Sequence, residues 1–168
     1  HLEAPFYVIT VLHISRSQLP DGISPFLMAV SVKKLAEEQL QERYDSKILM
    51  YLGEIAVISQ LPDAAEITRY TDVLNAFCTH AKRICEAKVT AGIGQICSRL
   101  SDLHISYQGA ENAVSYRAIY GNTRAINIAE IDPGENMELS AEQDAIQSLL
   151  KEIRMGDQEA LKRQIRTC

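Results

Sequence analysis

Lys47-Ile-Leu-Met-Tyr-Leu-Gly-Glu-Ile-Ala-Val-Ile-Ser59 decides the fold. Two apolar runs, Lys47–Tyr51 and Ile55–Ser59, flank a tight turn centred on Gly53, a residue that takes positive φ without cost. The stretch therefore reads as a β-hairpin. Helical patterns lie on both sides of it, so an antiparallel pair is embedded between helices, and the sheet must be mixed.

Upstream, Phe6–Ile14 (FYVITVLHI) is rich in β-branched and aromatic residues and reads as a buried strand. A turn follows at Leu19-Pro20-Asp21-Gly22. Ser24 then suits an N-cap with Pro25 at the first helical position. Met28, Val32, Leu35 and Leu40 recur at near-helical spacing against Lys33, Lys34, Glu37, Glu38 and Glu42, which gives an amphipathic helix.

Downstream, Pro62-Asp63 ends the hairpin, and Asp63 to Glu66 has the form of a capping box. Ile67, Tyr70, Leu74, Phe77, Ala81 and Ile84 make a continuous helical stripe. Lys88–Gly94 reads as a strand whose small residues admit another backbone or side chain closely. Ser106–Tyr120 is expected as a third helix closed by Gly121. Arg124–Glu130 is expected as a last short strand, and Asp132-Pro133-Gly134 breaks the chain.

The expected fold class is α/β (α+β), a mixed, mainly antiparallel sheet with helices in the order β-α-β-β-α-β-α-β, followed by a C-terminal helical tail. The expected domains are residues 1–134 and a helical connector, 135–168. In the connector, Ser140 and Gln143 cap a helix carrying Ile146, Leu149, Leu150 and Ile153. Its five basic and seven acidic residues argue against a DNA-reading helix there.

The 168 residues, 46% apolar and 23% charged, have the balance of an ordinary globular chain. At this length roughly 70% of the unfolded surface is buried, so neither metal nor disulfide is needed for a core. The net charge of -5 is spread in both signs and forms no basic stripe for nucleic acid. No apolar run approaches the ~18 residues of a membrane span. The abrupt ends, His1-Leu2-Glu3 and Arg166-Thr167-Cys168, lead us to expect a piece of a longer protein. Cys78 and Cys85 share a helix face roughly 10 Å apart, too far for a disulfide. With Cys97 and Cys168 they are expected as reduced, buried thiols of a reducing compartment.

Three stretches carry a family resemblance. Val89-Thr90-Ala91-Gly92-Ile93-Gly94 is similar to a strand of the form V-T-x-S-I-G. Ala110, Ala113 and Val114, with Gly121 eleven residues after Ala110, are similar to a helix of the form A-x-x-A-L-Y-x-A-K-x-x-G. Ser106-Tyr107, and Tyr116-Arg117 further on, look like one version of that helix in particular. Together with the element order, which is of the nucleotide-cyclase or ferredoxin-like kind, they resemble the GGDEF domain of diguanylate cyclases over about residues 5–132. The nearest likeness is the GGDEF-like domain of AraC-type bacterial transcription regulators, which lies between a sensor or receiver module and a helix-turn-helix pair.

The departures bear on function. The cyclase signature would occupy the hairpin turn, where the match is Tyr51-Leu52-Gly53-Glu54-Ile55, and only Glu54 keeps the acid. The magnesium-holding Asp-x-Asp at the end of the first strand is His13-Ile14-Ser15 here. Magnesium wants near-octahedral hard oxygens, and one carboxylate supplies little of that. Ala118 stands where a phosphate-contacting Lys would be, which removes its charge compensation. In the Arg-x-x-Asp product site, Asp45 fits, but Glu42 takes the Arg position with Arg43 one place off. If that segment is helical, the shift rotates the side chain by about 100°. Phosphoryl transfer rests on such placed charges.

The resemblance therefore implies a non-catalytic regulatory domain, needing no cofactor or metal, that couples an upstream sensor or receiver to a downstream DNA-binding module. A homodimer, a cytoplasmic location (free or as the cytoplasmic part of a membrane-anchored regulator) and no membrane contact by this segment go with it. The alternatives are a module binding a small molecule or a cyclic dinucleotide, and a divergent cyclase using Glu54. The remnant cleft would comprise His13, Ser15, Gly53 and Glu54. From the residues alone, His13 is expected as a strand-end histidine satisfied by hydrogen bonds and Glu54 as a solvated turn residue. His80 and His104 are expected at the surface, Ser106 as the N-cap of its helix, and Tyr107, Tyr116 and Tyr120 as a packing face.

Overall fold

A computed structural model describes residues 6–16, 22–51 and 53–131. The expected connector, 135–168, and the boundary before it lie outside these residues, as does most of the turn at 19–22.

Among the described residues the strands β1 (Phe6–Ile14), β2 (Ser46–Tyr51), β3 (Glu54–Leu61), β4 (Val89–Ile93) and β5 (Ala125–Asn127) form one sheet in the order β2-β3-β1-β4-β5. Every neighbouring pair is antiparallel except β4–β5. The helices are α1 (Pro25–Leu40), α2 (Glu66–Cys85), α3 (Leu103–Ser115) and the short α4 (Arg117–Tyr120). The expected order and mixed sheet are therefore present.

Local chemistry explains most of the boundaries. Ser24 Oγ accepts from the Leu27 N–H at 3.1 Å, with Pro25 opening α1. At α2, Asp63 Oδ1 accepts from the Glu66 N–H at 2.9 Å. Glu66 does not reach back to complete the box; its carboxylate accepts from Tyr44 Oη at 2.8 Å. Helix α1 ends at Leu40, so Glu42, Arg43 and Asp45 lie in the following turn and the helical rotation expected between them does not arise.

Strand alternation divides the core. Val8 and Leu12 of β1, Ile55, Val57 and Leu61 of β3, and Val89, Ala91 and Ile93 of β4 pack with α1 and α2. Tyr70, Leu74, Phe77 and Ala81 of the α2 stripe are fully buried there, but Ile84 is 58% exposed. The stripe runs on for a turn after the core has ended, because Glu86, at φ 56, turns the chain towards β4. Ile9 and Val11 point to the other face and meet Ala110 and Val114 of α3.

The third helix departs from expectation at both ends. It starts at Leu103, breaks at Tyr116 (φ -85, ψ 4), and resumes as α4 before Gly121 at φ 109. Ser106 is consequently not an N-cap: it lies inside α3, fully buried. The register explains its role. Thr10 pairs with Ile93, and then Tyr7 bridges Cys97, so the chain after β4 spends one residue more than β1 over that interval. Ile9 accepts from the Gly94 N–H on this side, while the Ile9 N–H, left by the bulge, donates to Ser106 Oγ at 2.8 Å.

The expected close approach at β4 is also present. A Cβ at Gly92 would overlap the Ala110 carbonyl oxygen, and one at Gly94 the Ser106 main chain. The last strand is shorter than expected, because Asn127 Oδ1 accepts from the Ala129 N–H at 2.9 Å and curls the chain into a 3-10 turn. Cys78 is buried, Cys85 and Cys97 are half-buried, and all three are free thiols.

Candidate functional site

The end of β1 and the β2–β3 turn come together at one end of the sheet. Leu12 pairs with Ile55, so His13 is one residue beyond that pair on β1 and Glu54 one residue before it on β3. By strand alternation both belong to the α3 face. Tyr51 pairs with Glu54, which makes the connection a two-residue turn, and Gly53 takes φ 81 there. Ser15 follows β1, half-buried, and its N–H donates to the Lys88 carbonyl at 2.9 Å. The four residues of the expected cleft are thus neighbours in the fold.

Their environment differs from the expectation for a solvated turn. Glu54 is half-buried, and its Oε1 accepts from Tyr107 Oη of α3 at 2.9 Å. Burial pushes the Tyr107 hydroxyl well above the usual phenol range, and the hydrogen bond to Glu54 and the charges of Glu54 and Glu111 push it the same way. Tyr107 also packs against the Ile9–Val114 cluster, so it belongs to a packing face as expected, with a polar task added. Tyr116 and Tyr120 lie 6.1 Å apart, tilted, at the α3–α4 break.

His13 is half-buried and sits across from Thr90 of β4. The Thr90 side chain is fully buried, and its Oγ1 has no hydrogen-bond partner among the described residues. Periodicity gave no sign of this orphan hydroxyl. Nor did it indicate Arg16, whose Nη2 would stand 3.7 Å from a Cβ at Gly53 and so lies over the turn. His104 is exposed, as expected, with Nδ1 2.9 Å from the Ser101 carbonyl oxygen. His80 is half-buried instead, bridging helices through Nδ1 and Gln39 Oε1 at 3.1 Å.

A second polar cluster, on the α1–α2 face, was not legible at all. Tyr70 Oη lies 2.8 Å from Thr10 Oγ1 and 3.0 Å from Ser59 Oγ, and Ser59 Oγ lies 2.8 Å from Ser46 Oγ. The Tyr44 ring stands edge-on to Tyr70 at 5.1 Å. Burial raises the Tyr70 pKa, opposed by the two hydroxyl contacts. Thr10, Ser59 and Tyr70 are all fully buried, as a structural network requires.

The chemistry available at the site is limited by its donors. Two carboxylates, Glu54 and Glu111, reach the Tyr107 hydroxyl, and the strand end beside Glu54 offers an imidazole and a hydroxyl. Magnesium seeks about six hard oxygens, usually with carboxylates among them, and among the described residues no group of three His, Cys, Asp or Glu side chains is placed to hold a metal ion. Hydrogen bonding to a polar group, with a cation near the turn, is what the set can do. The family model of the GGDEF-like domain matches residues 1–116. No curated protein matches the chain.

Proposed function

The chain belongs to the GGDEF-like domain family, and on that footing we propose that it is a regulatory domain without cyclase activity. In this reading it serves an AraC-type bacterial transcription regulator in the cytoplasm, coupling an upstream sensor or receiver to a downstream helix-turn-helix module. One observation carries the proposal: the acid retained at the signature turn, Glu54, is bound by Tyr107 of α3 at 2.9 Å. A polyphosphate with its cations requires several placed charges. Here His13-Ile14-Ser15 and Ala118 replace the groups that would provide them. Ser106 and Tyr107 are also two of the residues that look like the AraC-regulator version. Ser106 holds β1, and Tyr107 holds the hairpin turn, so adjacent residues tie α3 to two strands.

A second reading, a module that binds a small molecule or a cyclic dinucleotide, is favoured by the orphan hydroxyl of Thr90 across from His13. A buried polar atom without a partner costs about 1–3 kcal/mol, which a ligand or a water molecule would offset. One experiment addresses both readings. The purified chain is incubated with GTP and magnesium while pyrophosphate release is followed, and it is titrated calorimetrically with GTP and cyclic dinucleotides. We expect no turnover above buffer. Turnover would overturn the regulatory reading, whereas heat of binding without turnover would select the ligand-binding form.

A further inference from the structure

Strand β2 is one edge of the sheet: among the described residues it pairs with β3 and with nothing on its other side. The Gln60 N–H donates to the Asp45 carbonyl at 3.0 Å, which makes Asp45 and Gln60 a hydrogen-bonded pair of the antiparallel ladder. Such pairs alternate along the register. Lys47, Leu49 and Tyr51 therefore turn their main chain to β3, while Ser46, Ile48 and Met50 turn theirs outward. Gln41 Nε2 donates to the Ser46 carbonyl at 3.1 Å and closes the edge at that end. Ile48 and Met50 are left with outward N–H and C=O groups that no described residue engages. Edge strands are ordinarily blunted by a proline, a bulge or several charges. Strand β2 has an unbroken register with β3, no proline and one charge, Lys47.

The helix beside this edge keeps an apolar flank. Helix α1 packs over β2 and β3, and α2 over β4 and β5. Gln39, bonded to His80, marks the side of α1 that faces α2. Phe26, Val30, Lys33 and Glu37 recur at i, i+4, i+7 and i+11, about half a turn round the helix from Gln39, so they form the flank on the β2 side. Lys33 and Glu37 pair with each other at 3.4 Å, whereas Phe26 is 63% exposed and Val30 39%. A strand added along β2 would send alternate side chains to this flank, beside Ile48 and Met50, and the rest to the face of Lys47 and Leu49. Lys47 is exposed and has no ion-pair partner among the described residues. We propose that this edge docks an extended segment of a partner protein by strand addition, apolar at the positions that face Phe26 and Val30 and acidic opposite Lys47. A second copy of β2 does not fit the edge, because Ser-Lys-Ile-Leu-Met-Tyr carries no acid to answer Lys47.

Amide exchange of the full chain, followed by NMR alone and with peptides selected on it from a phage-displayed random library, tests this. In the free chain the Ile48 and Met50 amides should exchange fast and those of Lys47 and Leu49 slowly. The selected peptides should alternate apolar and acidic residues and slow the Ile48 and Met50 amides by about tenfold or more. Met50→Pro removes one outward N–H where an edge strand tolerates proline, and should weaken peptide binding by about tenfold or more with circular dichroism unchanged. Lys47→Glu, at an exposed position, gives the independent check: selection on that variant should replace the acid by a base. Slow exchange of Ile48 and Met50 in the free chain would overturn the proposal, since the edge would already be occupied. Self-association that protects the two amides would overturn it in favour of a second copy. A library without binders, binders that leave those amides fast, or an acid preference that survives Lys47→Glu would each do the same.

Discussion

The two faces of the sheet bury their helices in opposite ways. Against α1 and α2 the space is filled by volume, with Tyr70, Phe77, Leu74, Leu12 and Met28 all fully buried. Against α3 it is closed by the absence of volume: Gly92 and Gly94 on the strand side meet Ala110, Val114 and the main chain of Ser106. Most of the first face is held by area, which is non-directional, with Tyr70 Oη of α2 on Thr10 and Ser59 as its polar tie. Backbone proximity and two hydrogen bonds hold the second, from Ile9 to Ser106 and from Tyr107 to Glu54. Hydrogen bonds fix position more narrowly than burial does. On the face with the smaller core they reach the hairpin turn and the first strand, and the expected cleft residues are gathered there.

The largest effect should come from emptying the first face. Phe77→Ala removes a fully buried ring from the middle of α2 and should cost about 3–5 kcal/mol. Urea denaturation with a shifted midpoint and an unchanged slope is the readout. On the second face the opposite operation should do the damage. Gly94→Ala adds one methyl group where the Ser106 main chain already stands, and overpacking of this kind costs about 1–3 kcal/mol. If the contrast is right, amide exchange speeds up along α3 in the glycine variant and leaves α2 protected. Uniform loss of protection would mean that the two faces form one cooperative unit.

What could be read from the sequence divides by the range of the interaction. Ser24, Pro25 and Gly53 act through their own backbone neighbourhood, so their roles were legible and the elements that they bound were placed correctly. The α2 stripe was legible until the core ended, and periodicity could not say that Ile84 has nothing above it. Ser106 was misread because a serine near the start of a helix looks like a cap. Its actual partner, the Ile9 N–H, is 97 residues away and is free only because a bulge follows β4. Glu54 shows the same limit. Its place at the turn was correct, but Tyr107 lies 53 residues on, and no local pattern announces the bond. Extended interactions between polar side chains have no period.

The smallest effect sharpens the comparison most, because it isolates a directional bond on the α3 face. Tyr107→Phe keeps the ring against Ile9 and Val114 and removes the hydroxyl from Glu54, which should cost about 0.5–1.5 kcal/mol near neutral pH. The pH dependence carries a sign. The folded-state pKa of Tyr107 is raised by burial, by its bond to Glu54 and by the neighbouring carboxylates. Below about pH 10 both folded and unfolded chains keep the proton, so the contribution is fully present. Above that, the unfolded chain releases the proton while the folded one retains it, and stability falls as pH rises. Tyr70 and Cys78, the latter pushed up to about 12 by burial, titrate in the same alkaline window but are common to wild type and variant. The difference between the two stability curves should therefore stay level from pH 7 to about 9 and shrink above about 10. A difference that persists unchanged to strongly alkaline pH would mean that the Tyr107 hydroxyl is not the group holding Glu54, and that packing alone seats α3 on the hairpin.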